Sequence, residues 1–321
     1  MKNLIGFFIL ITLFSCKKTE RSNVTEKPTH TITINRFDQT FYKTGSSPDS
    51  LFLDLYANQI MKVGEPGTQL FNQFDSIFRT DSQMRQIFKD CQAKFKNVSP
   101  IEDKLTLAFQ RLNSYFPDIP YPKVYMHISG FGESIVSAPG ILSASIDKYL
   151  GSDYELYKTL FNPYQTQRMY PEKIVADYMN GWVRSEFTEE SMVKQQRLLD
   201  YMVYEGKLLY FMTVLLPDES MENISSFNKI QLDWCEKNEK NMWEAIMKLQ
   251  HLYSTDPLVI SKYLSESPRT TFFPEKSPGR AVIWTGFRIV EKFMNKKQNV
   301  SFQDLFNKDA QDILSESLYH P

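Results

Sequence analysis

The sequence is poor in the residues that most hydrolase signatures need. It contains four histidines, His30, His127, His251 and His320, and no two of them stand four positions apart. The common helical zinc-protease motif places two imidazoles one turn apart with a glutamate between them, so that motif is excluded. A Gly-x-Ser-x-Gly elbow, a phosphate-binding glycine loop and a Cys-x-x-Cys pair are also missing. Because ordinary enzyme signatures are absent, we expect no metal and no cofactor.

An excess of one charge and long apolar segments are lacking as well. The 37 basic side chains balance 38 acidic ones, and the net charge of −1 gives no attraction for nucleic acid. After the N-terminal segment, no apolar run reaches the about 20 residues that a membrane-spanning helix needs. Hydrophobic residues still make up 42% of the chain, which is enough to build a sizeable core.

The N-terminal residues have the order of an export signal. Lys2 supplies a positive charge, residues 4–14 form an apolar run, and Ser15 directly precedes Cys16. This order predicts a signal peptide over residues 1–15 that ends in a lipobox, with Phe14 as the atypical lipobox residue. Cys16 then becomes the lipidated first residue of the mature protein. A plain secretory signal followed by an unmodified cysteine is the alternative.

The signal peptide is followed by a polar segment and then by the folded part of the chain. Residues 16–30 lack apolar periodicity and predict a lipidated, flexible tether. A diacylglycerol on Cys16 would hold the protein at a membrane, since two acyl chains anchor a protein stably. A single globular domain is expected over residues 31–321. Its cysteines, Cys91 and Cys235, could form a disulfide in the cell envelope, but no regular spacing supports the pair and two buried thiols are favoured.

Hydrophobic patterns predict an α+β fold dominated by helices. Residues 31–42 alternate as a strand would, and residues 123–129 and 140–147 suggest two more strands joined by a Gly-rich connection. Apolar residues recur at helical spacing over residues 51–96, 99–116 and most of the C-terminal half. The expected architecture is a small, mostly antiparallel sheet with helices packed mainly on one side.

Three side chains are candidate cleft residues: His127, Asp177 and Glu205. His127 lies in a strand pattern, where a structural histidine is favoured over a catalytic one. Glu205 interrupts an apolar helix, and it must have a partner because an unpaired buried carboxylate costs several kcal/mol. The candidate partners of Glu205 are Lys207, Lys229 and Arg168.

Short segments in a fixed order run along nearly the whole mature chain. The most specific are Glu-Gly-Lys at 205–207, Trp-Cys at 234–235 and Pro-Gly-Arg at 278–280. On these segments the chain closely resembles the gliding-motility lipoprotein GldB family of the Bacteroidota, and the lipobox at Cys16 agrees with it. The resemblance implies a cell-envelope lipoprotein needed for gliding, alongside the machinery that secretes and drives surface adhesins. It implies no known reaction.

A weaker similarity, at the level of fold alone, is to zinc peptidases that use two histidines of one helix and a glutamate of a later helix. Here residues 171–187 would supply the first helix, which has no histidine, and Glu205 alone matches. The analogy implies a degenerate zincin-like layout that has lost its metal. Function must still be shown at the site.

Two functional hypotheses remain. The leading one is a non-catalytic, lipid-anchored binding or assembly factor, with the membrane and proteins of the gliding apparatus as partners. The alternative is a peptidase-like envelope hydrolase that uses a carboxylate cleft around Glu205, with Asp177 and His127. The expected location is the cell membrane or the outer membrane. Lys17 and Lys18 stand where some surface-exported lipoproteins of this phylum carry acidic residues, which favours the periplasmic side.

Overall fold

The protein is built mainly from helices, with one small sheet. A computed structural model describes residues 30–43 and 48–321, so the predicted signal peptide and Cys16 lie outside the described residues, as does the tether up to residue 29. The strands are β1 (Ile34–Arg36), β2 (Lys123–His127), β3 (Ile135–Ala138) and β4 (Ile141–Ser145). The described α-helices are α1 (Phe37–Tyr42), α2 (Ser50–Leu55), α3 (Gln69–Thr80), α4 (Ser82–Lys94), α5 (Ser99–Tyr115), α6 (Glu155–Leu160), α7 (Pro163–Thr166), α8 (Ile174–Glu186), α9 (Glu189–Met192), α10 (Leu198–Leu215), α11 (Met221–Ile224), α12 (Lys229–Lys237), α13 (Glu239–Lys248), α14 (Pro257–Leu264), α15 (Val282–Lys296), α16 (Phe302–Asn307) and α17 (Ala310–Ser317).

The sheet is mixed, so the prediction of a mostly antiparallel sheet was wrong. Its order is β1-β2-β4-β3, in which β2 runs parallel to both β1 and β4, and β3 runs antiparallel to β4. The connection between β2 and β4 contains β3. The chain reverses direction in β3 and reverses again in β4, so that β4 runs in the same direction as β2. Gly140 allows the tight β3–β4 turn, because its φ of +72° suits the position after a proline.

The first strand is shorter than the strand predicted over residues 31–42. Only Ile34–Arg36 pair with β2, and the chain then turns into α1. The alternating pattern ends at this point because Phe37 and Phe41, one helical turn apart, both enter the core. Arg36 and Asp38 form an ion pair of 2.7 Å at the junction, with the Asp38 side chain fully buried.

The expected zincin-like layout finds no support in the structure. The helix that would carry the metal ligands, α8, packs on β3 and β4 and brings Arg184 to within 2.6 Å of Glu205. A guanidinium group cannot ligate a metal, since it has donors and no acceptor. Glu205 therefore faces a cation of the protein itself.

Helix α10 lies at the centre of the core and packs most closely on α15. One cluster of buried apolar side chains includes residues from Ile32 to Tyr319, and α10 is apolar and buried on nearly every side. A Cβ atom on Gly206 would lie 2.3 Å from the carbonyl oxygen of Gly286. Likewise, a Cβ atom on Gly286 would lie 1.8 Å from the carbonyl oxygen of Met202. The two helix backbones are thus in direct contact.

The two thiols of the folded part are buried and unpaired with each other. Cys91 and Cys235 are free cysteines, so the favoured prediction of two buried thiols is confirmed. Burial raises the pKa of both thiols, which keeps them protonated at neutral pH. Among residues 30–43 and 48–321, no helix combines the length and the apolar character that crossing a bilayer requires.

His127 belongs to the interior of the sheet, as the structural interpretation predicted. Its side chain is fully buried, its Nδ1 lies 2.7 Å from the hydroxyl of Ser143 on the neighbouring strand, and its Nε2 has no partner among the described residues. Burial lowers the pKa of His127 to about 3. The neutral imidazole is therefore a structural part of the core.

We expect Gly206→Ala to destabilise the protein more than Gly181→Ala. Both changes raise helix propensity by about 1 kcal/mol, but the new methyl group at 206 meets the backbone of α15, whereas at 181 it meets the side chain of Ile135. Overpacking against backbone should cost about 1–3 kcal/mol net. Thermal unfolding measures both variants. A Gly206→Ala protein as stable as the wild type would show that the two helices can separate freely.

Acidification should weaken the fold through His127. The folded-state pKa lies below the unfolded one, so this contribution to stability is present above about pH 6.5 and is lost as the pH falls toward 3. At pH 5 the loss is about 2 kcal/mol. Urea unfolding at pH 8 and pH 5 should show a smaller difference for His127→Gln than for the wild type. The control, His320→Gln at an exposed position, should keep the wild-type difference. An equal loss of stability between pH 8 and pH 5 in all three proteins would show that His127 is not its source.

Candidate functional site

An open cavity of about 720 Å³ lies between one end of the sheet and helices α8 and α10. Ligand sites of small molecules have volumes of about 300–1,000 Å³. The walls come from the loop after β2, the segment after β4, α8, α10 and the turn before α15. Its cationic lining residues are Lys148, Arg168, Lys173, Arg184 and Arg280. Its acidic lining residues are Glu133, Asp177, Glu205 and Glu266.

Glu205 is bound by two arginines from distant parts of the chain. Arg184 of α8 donates from Nη1 to Oε1 at 3.1 Å and from Nη2 to Oε2 at 2.6 Å. Arg280 donates from Nη2 to Oε1 at 3.3 Å. The predicted partners Lys207, Lys229 and Arg168 were wrong, because Glu205 faces α8 and the turn before α15. The carboxylate, in a residue only 7% exposed, is paired rather than free.

Arg184 is the main partner of Glu205. The side-chain oxygen of Asn180, one turn earlier on α8, accepts from Arg184 Nε at 2.6 Å and fixes the plane of the guanidinium. Burial opposes its charge, but the carboxylate of Glu205 outweighs burial and raises the pKa of Arg184. A two-bond fork of this kind is the strongest arginine–carboxylate geometry.

Arg280 is held in the cavity by a constrained turn. Its φ is +60°, in the left-handed region, which a residue with a side chain enters at a cost of about 1–3 kcal/mol. The preceding Gly279 is packed so closely that a Cβ atom would lie 1.9 Å from the carbonyl oxygen of Ser267. The Nε of Arg280 is buried and has no hydrogen-bond partner among the described residues. Burial lowers the pKa of Arg280, although Glu205 opposes the shift.

The rim of the cavity after β2 is organised by a buried carboxylate. Asp147 accepts the backbone N–H of Phe131 at 2.6 Å and that of Ser129 at 3.3 Å, and the hydroxyl of Ser145 at 2.5 Å. Gly130 and Phe131 both have a φ of +70°, so the loop makes a sharp turn here. Burial raises the pKa of Asp147, and these donors oppose the shift. The loop that carries the cavity wall is therefore fixed to β4.

Asp177 lines the same cavity and is also paired. The hydroxyl of Tyr149 donates to its Oδ2 at 2.9 Å, and Lys173 Nζ lies 3.2 Å from its Oδ1. The same ammonium group donates to the carbonyl oxygens of Asn223 and Ser225, at 2.8 and 2.9 Å. Lys173 thus links Asp177 of α8 to the C-terminal end of α11.

The structure brings two of the three candidate cleft residues to one cavity. Asp177 and Glu205 line it, whereas His127 lies inside the sheet, bonded to Ser143 and apart from the cavity wall. An imidazole placed there cannot act on a molecule in the cavity, because proton transfer requires hydrogen-bond reach.

Sequence reasoning missed Arg184 and Arg280 as site residues. The Pro-Gly-Arg segment at 278–280 was noted as specific, but not as a source of Glu205 contacts. The sequence feature that could have indicated Arg280 is a cation that follows a Pro-Gly turn and stands just before a strongly apolar helix. Arg184 carried no comparable signal, because it stands near the end of α8, where basic residues are common for other reasons.

Lys207 serves the fold on the opposite side of α10. It donates to the carbonyl oxygens of Phe306 and Lys308 at the end of α16, at 3.1 and 2.7 Å. Burial lowers the pKa of Lys207 to about 8, with Asp309 opposing the shift. The residue contacts a second helix end and takes no part in the cavity.

Within residues 30–43 and 48–321, no group of three or more His, Cys, Asp and Glu side chains could hold a metal ion.

Comparisons with known proteins identify the family. No curated protein and no solved structure matches the chain. A family model described as gliding motility protein GldB matches residues 17–321, nearly the whole sequence. The chain therefore belongs to the gliding motility protein GldB family.

Proposed function

We propose that this protein is a lipid-anchored component of the gliding apparatus that acts by binding, not by catalysis. Cys16 carries the lipid, residues 16–30 form the tether, and residues 31–321 form one binding domain on the periplasmic side of the membrane. Membership of the family supports a role in gliding motility. The lipobox at residues 13–16 supports the anchor.

The observation that carries the non-catalytic role is the state of Glu205. A carboxylate has about four acceptor positions, and the two arginines already occupy three of them. A general base or nucleophile must instead have a lone pair directed at a substrate. Glu205 is arranged to hold α8 and the turn before α15 together around a cavity, and the cavity is available for a ligand.

The lipid anchor predicts that Cys16→Ala releases the protein from membranes. Without diacylglycerol, the chain lacks the two acyl chains that give stable anchoring. Labelled palmitate should be incorporated into the wild type and into a Thr19→Ala control in the tether, and not into Cys16→Ala. Membrane fractions washed with carbonate should retain the first two proteins only. Retention of Cys16→Ala would show that another part of the chain binds the membrane.

A charge-balanced double variant separates a structural from a catalytic Glu205. Glu205→Gln leaves two cations without a carboxylate and should cost about 1–3 kcal/mol, less than a fully buried pair because Arg184 is partly exposed. Adding Arg184→Gln restores the net charge of the three side chains, so the unfolding temperature should recover. We expect gliding, measured as colony spreading, to recover with it.

The same double variant tests the hydrolase alternative. Its cellular level must first match the wild type, so that loss of protein does not imitate loss of function. A stable, normally abundant double variant that cannot glide, beside an Arg184→Gln variant that can, would show that the carboxylate itself is needed, as a hydrolase requires. Lys240→Gln/Glu244→Gln, which neutralises an exposed pair on α13, is the matched control.

A further inference from the structure

The cavity contains a cation that its acidic residues do not neutralise. Arg184 makes a two-bond fork with Glu205, and one carboxylate carries one negative charge. Arg280 reaches the same carboxylate with a single contact of 3.3 Å. The group therefore has a net charge of about +1, and Arg280 is the less satisfied partner, with its buried Nε free of any hydrogen bond in the described part of the chain.

A second cation, Lys148, lines the same cavity from the segment after β4. Lys148 follows β4 and places its ammonium group 4.3 Å from the centre of the Phe161 ring. It forms no ion pair with any carboxylate of the described residues. Burial lowers the pKa of Lys148, and the nearby charges of Asp147, Glu133 and Glu266 oppose the shift. Asp147 is turned into the core, where the amides of the rim loop hold it.

Arg168 lines the same cavity as these two cations. Its positive charge acts on both Lys148 and Arg280 and disfavours the charged form of each. Its own partner, Glu266, lies 2.5 Å away on the rim and has a side chain 49% exposed to solvent. Three cations thus line one cavity, and the carboxylate paired with Arg168 is about half exposed to solvent.

The geometry points to a binding site for an oxyanion, a carboxylate or a phosphate group, in the cavity that Arg280 and Lys148 both line. This inference rests on the proposed binding function and names the chemical class of its ligand. Arginine binds both kinds of group through charge-assisted hydrogen bonds, and Arg280 lines the cavity with only one long contact, of 3.3 Å, to Glu205. The cavity of about 720 Å³ is large enough for the molecule that carries the anion.

Anion binding to the full-length protein in detergent tests the inference. Sodium phosphate and sodium succinate are titrated separately against sodium chloride at matched ionic strength, and the unfolding temperature is measured. A ligand that binds the folded state raises this temperature, and above its Kd the stabilisation grows with the logarithm of the ligand concentration. We expect such a rise with at least one of the two anions. A preference for phosphate indicates a phosphorylated ligand, and a preference for succinate indicates a carboxylate ligand.

Variants locate the binding. Arg280→Gln and Lys148→Gln should each weaken the apparent affinity about tenfold or more, which corresponds to one charged hydrogen bond. Lys148→Gln leaves the Glu205 ion pairs intact, so it remains informative if Arg280→Gln fails to fold. Lys240→Gln is the control, because this lysine is 70% exposed on α13, away from the cavity.

Two outcomes would overturn the inference. One is the absence of any rise of the unfolding temperature above that in chloride for the wild type, and the other is equal binding by the wild type and Lys148→Gln. Neither outcome affects the proposed function, which is tested by gliding of the charge-balanced double variant. Conversely, loss of gliding in the stable double variant but not in Arg184→Gln would refute the non-catalytic role while leaving anion binding in place.

Discussion

The contact between the backbones of α10 and α15 determines the geometry of the cavity. Gly206 and Gly286 let the two helices touch, and neither position has room for a methyl group. Glu205 directly precedes the first glycine, and Arg280 stands in the turn that leads into α15. The helix separation therefore sets the distance between the carboxylate and the guanidinium. A core packing constraint and an ion pair are here parts of the same arrangement.

Three consecutive residues of α10 serve three different neighbours. Glu205 faces the cavity, Gly206 faces α15, and Lys207 faces the end of α16. An α-helix places successive side chains about 100° apart, so three adjacent positions point to three sides of a buried helix. This explains why Glu-Gly-Lys interrupts a segment that is otherwise apolar: α10 contacts the protein on every side and joins its parts through these residues.

The sequence allowed prediction of what depends on local pattern. Most helices follow from apolar spacing, and Glu205 stood out because a charge in an apolar helix needs a partner. Its partners were unpredictable because they come from 21 and 75 positions away and depend on how α8 and α15 pack. The predicted strand directions were wrong for a similar reason. One short strand, β3, decides whether β2 and β4 run parallel. His127 is fully buried in β2, within the segment that the sequence pattern predicted as a strand.

The stability of the Glu205 ion pair does not require Arg280. Arg184 alone satisfies the charge of Glu205 with two hydrogen bonds, so a structural pair is complete without a second arginine. The chain nevertheless places Arg280 in a left-handed conformation, behind a glycine in contact with Ser267, and its Nε has no partner in the part of the chain that the structure describes. Backbone strain and unsatisfied polar groups persist where the surrounding structure imposes them, and they are concentrated at functional sites. A cation held at such a cost, facing a cavity, is what the binding of an anion would require and what a purely structural ion pair would not.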